Sequence, residues 1–278
     1  MGTLWAVSDL HVSHPDNRPL VSSIRPTAAD DWLIVAGDVA EDLDDLVWAL
    51  DLLRQRFARV VWVPGNHELW TTRGDPAAPR GVARYEQLVA ACRRIDVVTP
   101  EDPYPRWDGP GGPAAVAPLF VLYDYSWWPE GTGSTAAALA QAHEVGVVCS
   151  DEYLLHPDPY ASRADWCHAR VALTEDRLAA VDPDLPTVLV NHFPLVRHPT
   201  LVLHHPELAL WCGTDRTADW HRRFRARAVV YGHLHIPRTT THDGVRFEEV
   251  SLGYPREWHR RGHPRGILRP VLPHPAPH

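Results

Sequence analysis

At 278 residues, 45% hydrophobic and 22% charged, the chain has the length and composition of a globular protein with a substantial buried core. No run approaches the roughly 20 apolar residues of a membrane helix, and the N-terminus lacks the regions of a signal peptide, so a cytoplasmic enzyme without membrane contact is expected. A net charge of −8 argues against a dedicated nucleic-acid binder.

Charge is unevenly spread. All 27 basic residues are Arg, and residues 216–278 hold 12 of them against 5 acids, leaving a local basic face conceivable. Met1-Gly2 does not open a myristoylation signal, because Ala6 stands where that pattern needs a hydroxyl residue. The four cysteines (Cys92, Cys149, Cys167, Cys212) are scattered without a C-x-x-C pair and read as free buried thiols.

In chain order, residues 3–8 predict a buried strand that runs into Asp9-Leu10-His11. A Pro-rich loop follows, then a strand over 32–36 that ends at Gly37-Asp38. Leu43, Leu46, Val47, Leu50, Leu53 and Phe57 recur at helical spacing, predicting a helix over 42–57 with an acidic start and a basic end. Val60–Val63 predicts a third strand, broken by Pro64-Gly65 and followed at once by Asn66-His67-Glu68. Strand, helix, strand in this order predicts a parallel βαβ unit.

The middle of the chain is less regular. Helices are predicted near 82–94, 134–146 and 162–181, a strand near 95–98, and one or two strands over 114–123 interrupted at Pro118. Strands at 187–190 and 228–231 run into Asn191-His192 and Gly232-His233-Leu234-His235, and a last strand is predicted over 245–251. Residues 1–258 read as a single domain, with 70–186 partly an elaboration around a substrate pocket. From residue 259 the Pro-, Arg- and His-rich chain reads as an ordered start fading into a flexible tail.

Asp9, His11, Asp38, Asn66, His67, His192, His233 and His235 all stand just beyond the ends of apolar runs. In an open α/β sheet, ligands bind beyond the carboxyl ends of the strands, so these loops would converge on one edge. Any one of these short runs alone would be a turn or a surface pair; together, in strand-terminal context, they predict a metal site. A mixture of carboxylates, an amide oxygen and imidazoles suits Mn, Fe, Zn, Co or Ni better than Mg or Ca.

Asp9-Leu10-His11, Gly37-Asp38, Gly65-Asn66-His67-Glu68, Asn191-His192 and Gly232-His233-Leu234-His235 resemble, in order and type, the motifs of the calcineurin-like metallophosphoesterase superfamily. The resemblance implies an α/β fold, a four-layer αββα sandwich of two packed mixed sheets flanked by helices, with two divalent metals at one edge. By position, Asp9, His11 and His235 would bind the first metal, and Asn66, His192 and His233 the second, with Asp38 bridging both. His67 would lie beside the phosphate and Glu68 would orient the ligands from behind. Two cations about 3.5 to 4 Å apart bind phosphate oxygens and lower the pKa of a shared water, whose hydroxide attacks phosphorus in line. A protonated histidine helps the alkoxide leave, which gives His67 and Asp38 catalytic roles.

Two departures narrow the branch. The run Gly37-Asp38-Val39-Ala40-Glu41-Asp42-Leu43 lacks the arginine of the protein Ser/Thr phosphatases, and only 43 residues follow His235, too few for the DNA-capping domain of the repair nucleases. The expected function is a metal-dependent hydrolase acting on a small phosphomonoester. Alternatives are a phosphodiesterase on a cyclic nucleotide or other diester and, more remotely, a nuclease or a non-catalytic interaction module. Candidate substrate contacts are Arg73, Arg197, and Trp127 and Trp128 of an aromatic cluster with Tyr123 and Tyr125. The sequence leaves the oligomeric state open.

Overall fold

The computed structural model describes residues 1–71, 78–129, 131–262 and 266–274. The elements in order are β1 (Leu4–Val7), α1 (Asn17–Ser23), β2 (Trp32–Val35), α2 (Leu43–Arg54), β3 (Arg59–Trp62), α3 (Asn66–Leu69), α4 (Gly81–Arg94), β4 (Arg106–Trp107) and β5 (Ala114–Pro118). They continue with α5 (Thr135–Glu144), α6 (Asp151–Leu154), α7 (Arg163–Ala179), β6 (Thr187–Val190), α8 (Trp220–Arg223), β7 (Ala226–Tyr231), β8 (Arg238–His242), β9 (Val245–Glu249), α9 (Pro255–Arg261) and β10 (Arg269–Leu272).

The strands build two mixed sheets, ordered β10-β1-β2-β3 and β4-β5-β6-β7-β9-β8. Within them β1-β2-β3 and β5-β6-β7-β9 are parallel. Parallel strands need both faces covered, and their side chains divide by alternation. Leu4, Ala6, Ile34, Ala36, Val61, Val63, Val116, Val188, Val190, Ala228 and Val230 form an apolar layer between the sheets. Val7, Leu33, Val35, Val60, Trp62, Leu189, Val229 and Tyr231 face the other way, into the core beneath the helices. The result is the four-layer αββα sandwich.

Helix α2 shows how local chemistry sets an element. Asp42 caps it by accepting from the amides of Asp44 (2.8 Å) and Asp45 (3.3 Å), and Leu46, Leu50 and Leu53 bury one face. Arg54 in its last turn pairs with Asp96.

Several expectations need correction. The Pro-rich loop after His11 contains α1. Of the strand expected over 95–98, only Val98 bridges, to Val61. β5 ends at Pro118, which has no N–H to continue the ladder, and Leu119–Tyr123 run on as buried, non-strand chain. β8 is an unpredicted edge strand, because its Arg-Thr-Thr-Thr-His sequence is half-exposed and carries no apolar run. The stretch from 259 is not uniformly a tail. α9 extends to Arg261, and β10 pairs antiparallel with β1, burying Val271 and Leu272 fully. A proline is tolerated there because β10 is an edge strand.

Candidate metal centre and active site

The loops after β1, β2, β3, β6 and β7 meet where the two sheets join. Ser8 donates its amide to the Val250 carbonyl (3.0 Å), and Leu252 donates back to Ser8 (2.9 Å), so β1 and the end of β9 are stitched together. Asp9, His11, Asp38, His233 and His235 all adopt left-handed backbone, with φ of 53°, 40°, 53°, 70° and 56°. Each such non-glycine residue costs on the order of 1–3 kcal/mol and persists only where its surroundings over-determine it. The approach of the loops is close. A Cβ on Gly232 would lie 2.3 Å from Asp9 Oδ2, and one on Gly65 would lie 2.1 Å from Asp38 Oδ1.

One donor atom each of Asp9, His11, Asp38 and His235 lies within 4.8 Å of the others, and Asp38, His192 and His233 form a second such group. Asp38 belongs to both. Its Oδ2 stands 3.5 Å from His192 Nε2, 3.9 Å from His11 Nε2 and 3.8 Å from His67 Nε2, while Oδ1 accepts the His67 amide (3.0 Å). Burial drives the imidazoles of His11 and His233 down, to about 4 and about 3, against the pull of neighbouring carboxylates. Burial opposes ionisation of Asp38 too, but the surrounding histidines hold its carboxyl well below the ordinary range.

The fit of cations here is testable from the lone pairs. His192 Nδ1 lies 2.8 Å from the Ala36 carbonyl, which can only accept, so Nδ1 carries a proton and Nε2 is the nitrogen turned to the centre. Burial lowers this imidazole's pKa, but Asp38 outweighs it and pushes it up to about 10, so a cation would take the place of the Nε2 proton. Nε2 faces Asn66 Oδ1 at 3.3 Å and the Asp38 carboxylate. Asn66 is held in that orientation because its Nδ2 donates to Asp151 Oδ1 (3.0 Å). His235 Nδ1 lies 2.8 Å from Glu257, leaving Nε2 facing Asp9 Oδ1 at 2.9 Å and His11 Nε2 at 3.2 Å. Ring nitrogens, carboxylates and an amide oxygen thus converge on one space, where a divalent cation would replace the protons that His192 and His235 otherwise carry.

Around these groups stands a layer of carboxylates. Glu68 accepts from the amides of Val39 (2.7 Å), Gly65 (2.8 Å) and Asp38 (3.0 Å), clamping the β2 and β3 loops together. Burial and the nearby Asp38 charge push its carboxyl up to about 7. Asp9 Oδ2 accepts from Ser8 Oγ (2.5 Å) and Ser251 Oγ (2.7 Å), which leaves Oδ1 for the centre. His67 Nδ1 bonds Glu41 at 2.7 Å, and its ring lies over Trp70 with centroids 3.7 Å apart. Burial lowers the His67 pKa, but Asp38 and Glu41 outweigh it and hold the imidazole above its ordinary value. Tyr254 stacks on His11 at 4.3 Å and places its hydroxyl 3.3 Å from His67 Nε2.

The candidate substrate contacts fare differently. Trp127 is 1% exposed and belongs to the core, packed beside Gly213, because the run 119–127 threads under the loops instead of over them. Trp128 is half-buried, and Arg197 donates to its carbonyl oxygen (2.5 Å), so Arg197 braces that loop. Arg73 lies outside the described residues. A groove of about 610 Å³ beside the centre is lined instead by His14, Pro15, Asp16, Tyr254, Pro255 and Arg256. A second cavity of about 590 Å³, between α4 and α7, is lined by Tyr85, Trp166 and Arg170 and touches none of the metal-competent residues. Glu41, Asp151, Tyr254 and Glu257 are not among the site residues expected from the sequence. Only Glu41 carried a signal there, three residues after Asp38 in the phosphatase-like run.

Comparison with known proteins bears directly on this edge. The family model described as calcineurin-like phosphoesterase matches residues 2–237. The chain is 60% identical over 273 residues to the [acyl-carrier-protein] phosphodiesterase PptH of Mycobacterium tuberculosis (strain H37Rv), a match covering 98% of this chain and 84% of that protein. The crystal structure of phosphopantetheinyl hydrolase (PptH) from Mycobacterium tuberculosis superposes with a TM-score of 0.97 at 60% identity, covering 100% of this chain and 99% of that one. The chain therefore belongs to the calcineurin-like phosphoesterases and is a hydrolase of phosphoric ester bonds.

Proposed function

We propose that the chain is a dinuclear-metal phosphodiesterase that cleaves the diester joining a phosphopantetheine arm to a serine of an acyl carrier protein. What carries this reading is 60% identity across 98% of the chain to a relative named as an [acyl-carrier-protein] phosphodiesterase and phosphopantetheinyl hydrolase. The preference for a small phosphomonoester gives way to a diester, and the partner becomes a carrier protein in place of a free metabolite. Asp9, His11, Asp38 and His235 would hold one cation, and Asp38, Asn66, His192 and His233 the other. The donor chemistry favours Mn, Fe or Zn. When bound, such ions supply charge neutralisation of the phosphate and acidify a water.

The remaining work falls to the chain's own side chains. Glu41 holds His67 through Nδ1, so the proton available for transfer sits at Nε2, on the side of Asp38 and Tyr254. As water adds to phosphorus and the P–O bond to the carrier serine breaks, His67 Nε2 gives its proton to the departing oxygen, which otherwise leaves as an alkoxide. The groove along His14, Pro15, Tyr254 and Arg256 offers room for the pantetheine arm.

The test is incubation of the Mn²⁺-loaded chain with a phosphopantetheinylated acyl carrier protein, followed by intact-mass spectrometry. Loss of the phosphopantetheinyl mass, with a bis-aryl diester hydrolysed faster than an aryl monoester, is the expected result. An unchanged carrier protein together with faster monoester turnover would overturn the reading.

A further inference from the structure

A fourth group of metal-competent side chains among the described residues stands apart from the catalytic edge, which holds the other three: His221 in α8 with His242 and Asp243 of the β8–β9 hairpin. β9 runs parallel to β7, so the hairpin tip lies at the opposite end of the sheet from Gly232–His235. One donor atom from each of the three residues lies within 4.8 Å of the others. His221 Nε2 is 3.1 Å from Asp243 Oδ2, and His242 Nε2 is 3.9 Å from the same oxygen. The second spacing is too long for a hydrogen bond. Both are near the separation of about 3.4 Å that tetrahedral bonds of about 2.1 Å impose on neighbouring ligands.

The three side chains are held, not merely near. His221 is 1% exposed, and its Nε2 meets Asp243 from inside the fold. Among the described residues its Nδ1 has no hydrogen-bond partner, so Nε2 is the nitrogen that donates to Asp243, and a cation there would take the place of that proton. His242 is stacked against His198 (5.4 Å, 27°), and Phe247 packs edge-on to both His221 and His242. Asp243 and Gly244, with φ of 49° and 78°, form the tight turn that fixes the carboxylate's approach. Arg222 stands 3.4 Å from Asp243 on a side chain 62% exposed, and it can withdraw to solvent.

We propose that His221, His242 and Asp243 form a divalent-metal site separate from the catalytic centre, which clips the β8–β9 hairpin to α8. Two imidazoles and one carboxylate select borderline ions, Zn²⁺ foremost, over Mg²⁺ or Ca²⁺, and solvent completes the coordination. The site is structural. β8 begins three residues after His235, and β9 leads into Ser251, which bonds Asp9, so the clip braces a hairpin anchored at the catalytic edge.

The experiment compares the full chain with His242→Ala and Asp243→Asn. Both positions are exposed or half-exposed, and Asn tolerates the turn conformation. After loading with Zn²⁺ and dialysis, elemental analysis should find one more equivalent of metal per chain in the parent than in either variant. Zn²⁺ beyond the catalytic complement should raise the parent's Tm by on the order of 3 °C and leave both variants unmoved. Equal metal content in all three proteins, or an equal thermal response, would overturn the site.

Discussion

Replacing Asp151 by Ala should separate the support of the centre from the centre itself. Asp151 is fully buried and accepts from Asn66 Nδ2 (3.0 Å), Trp70 Nε1 (2.7 Å) and the Tyr123 hydroxyl (3.0 Å). Truncation strands three donors in a closed site, each costing about 1–3 kcal/mol, partly relieved by an entering water, so a net loss of about 4 kcal/mol is expected. The second consequence is local. Without Asp151 the Asn66 amide loses the acceptor that fixes Nδ2 and keeps Oδ1 towards His192, and a flipped amide offers N–H where a cation needs oxygen. Loss of a group behind a metal ligand lowers affinity by about 10- to 100-fold. Urea unfolding of the metal-free protein reads the first effect, and Mn²⁺ titration of the folded protein reads the second. Asp151→Asn, which can still accept from Asn66, should fall between parent and Ala on the metal axis. Destabilisation of Asp151→Ala with Mn²⁺ affinity within about twofold of the parent would refute the orienting role.

Asp38→Asn should abolish turnover and weaken both metals, read by elemental analysis after dialysis, because one carboxylate serves both groups. His67→Ala should keep its metal content and lose roughly 10² or more in kcat; loss of metal instead would make it a ligand. Asp31, fully buried, accepts from Thr3 N, Trp5 Nε1, Thr27 N and Oγ1 and Ala28 N. Burial raises its pKa, but these donors outweigh it and hold the carboxyl below its ordinary value. Its contribution is therefore full above the unfolded value near pH 4 and is lost as pH falls through the folded one. Asp31→Asn should cost about 2 kcal/mol at pH 7, a gap that closes below about pH 4 in urea titrations.

The strand-terminal motifs were legible because a ligand that must stand at a sheet edge has to follow an apolar run. Asp9, Asp38, His192 and His233 each do. The parallel order of β1-β2-β3 was legible for a similar reason, through the spacing of α2 between strands. What escaped depends on tertiary contact. Asp151 is 85 residues from Asn66, and Glu257 is 22 from His235, and neither sits in a patterned run. β10 hides in a composition that reads as tail, since Val271 and Leu272 are apolar but flanked by prolines. β8 left one signal unread, the Asp243-Gly244 pair that marks a tight hairpin. Trp127 illustrates the opposite error, since an aromatic residue looks the same in a sequence whether it stacks a ligand or fills a core.

The layer between the two sheets has a role beyond stability. One sheet supplies Asp9, His11, Asp38 and Asn66, the other His192, His233 and His235, and His192 reaches across to the Ala36 carbonyl. The distance between the two halves of the centre is therefore set by the thickness of that layer, which contains small residues such as Ala6, Ala36 and Ala228. A methyl group added deep in this layer, out of reach of any substrate, would be felt at the edge as a change in ligand spacing. The hydrophobic filling gauges the proposed metal centre, so the side chains that pack the layer would also calibrate its ligands.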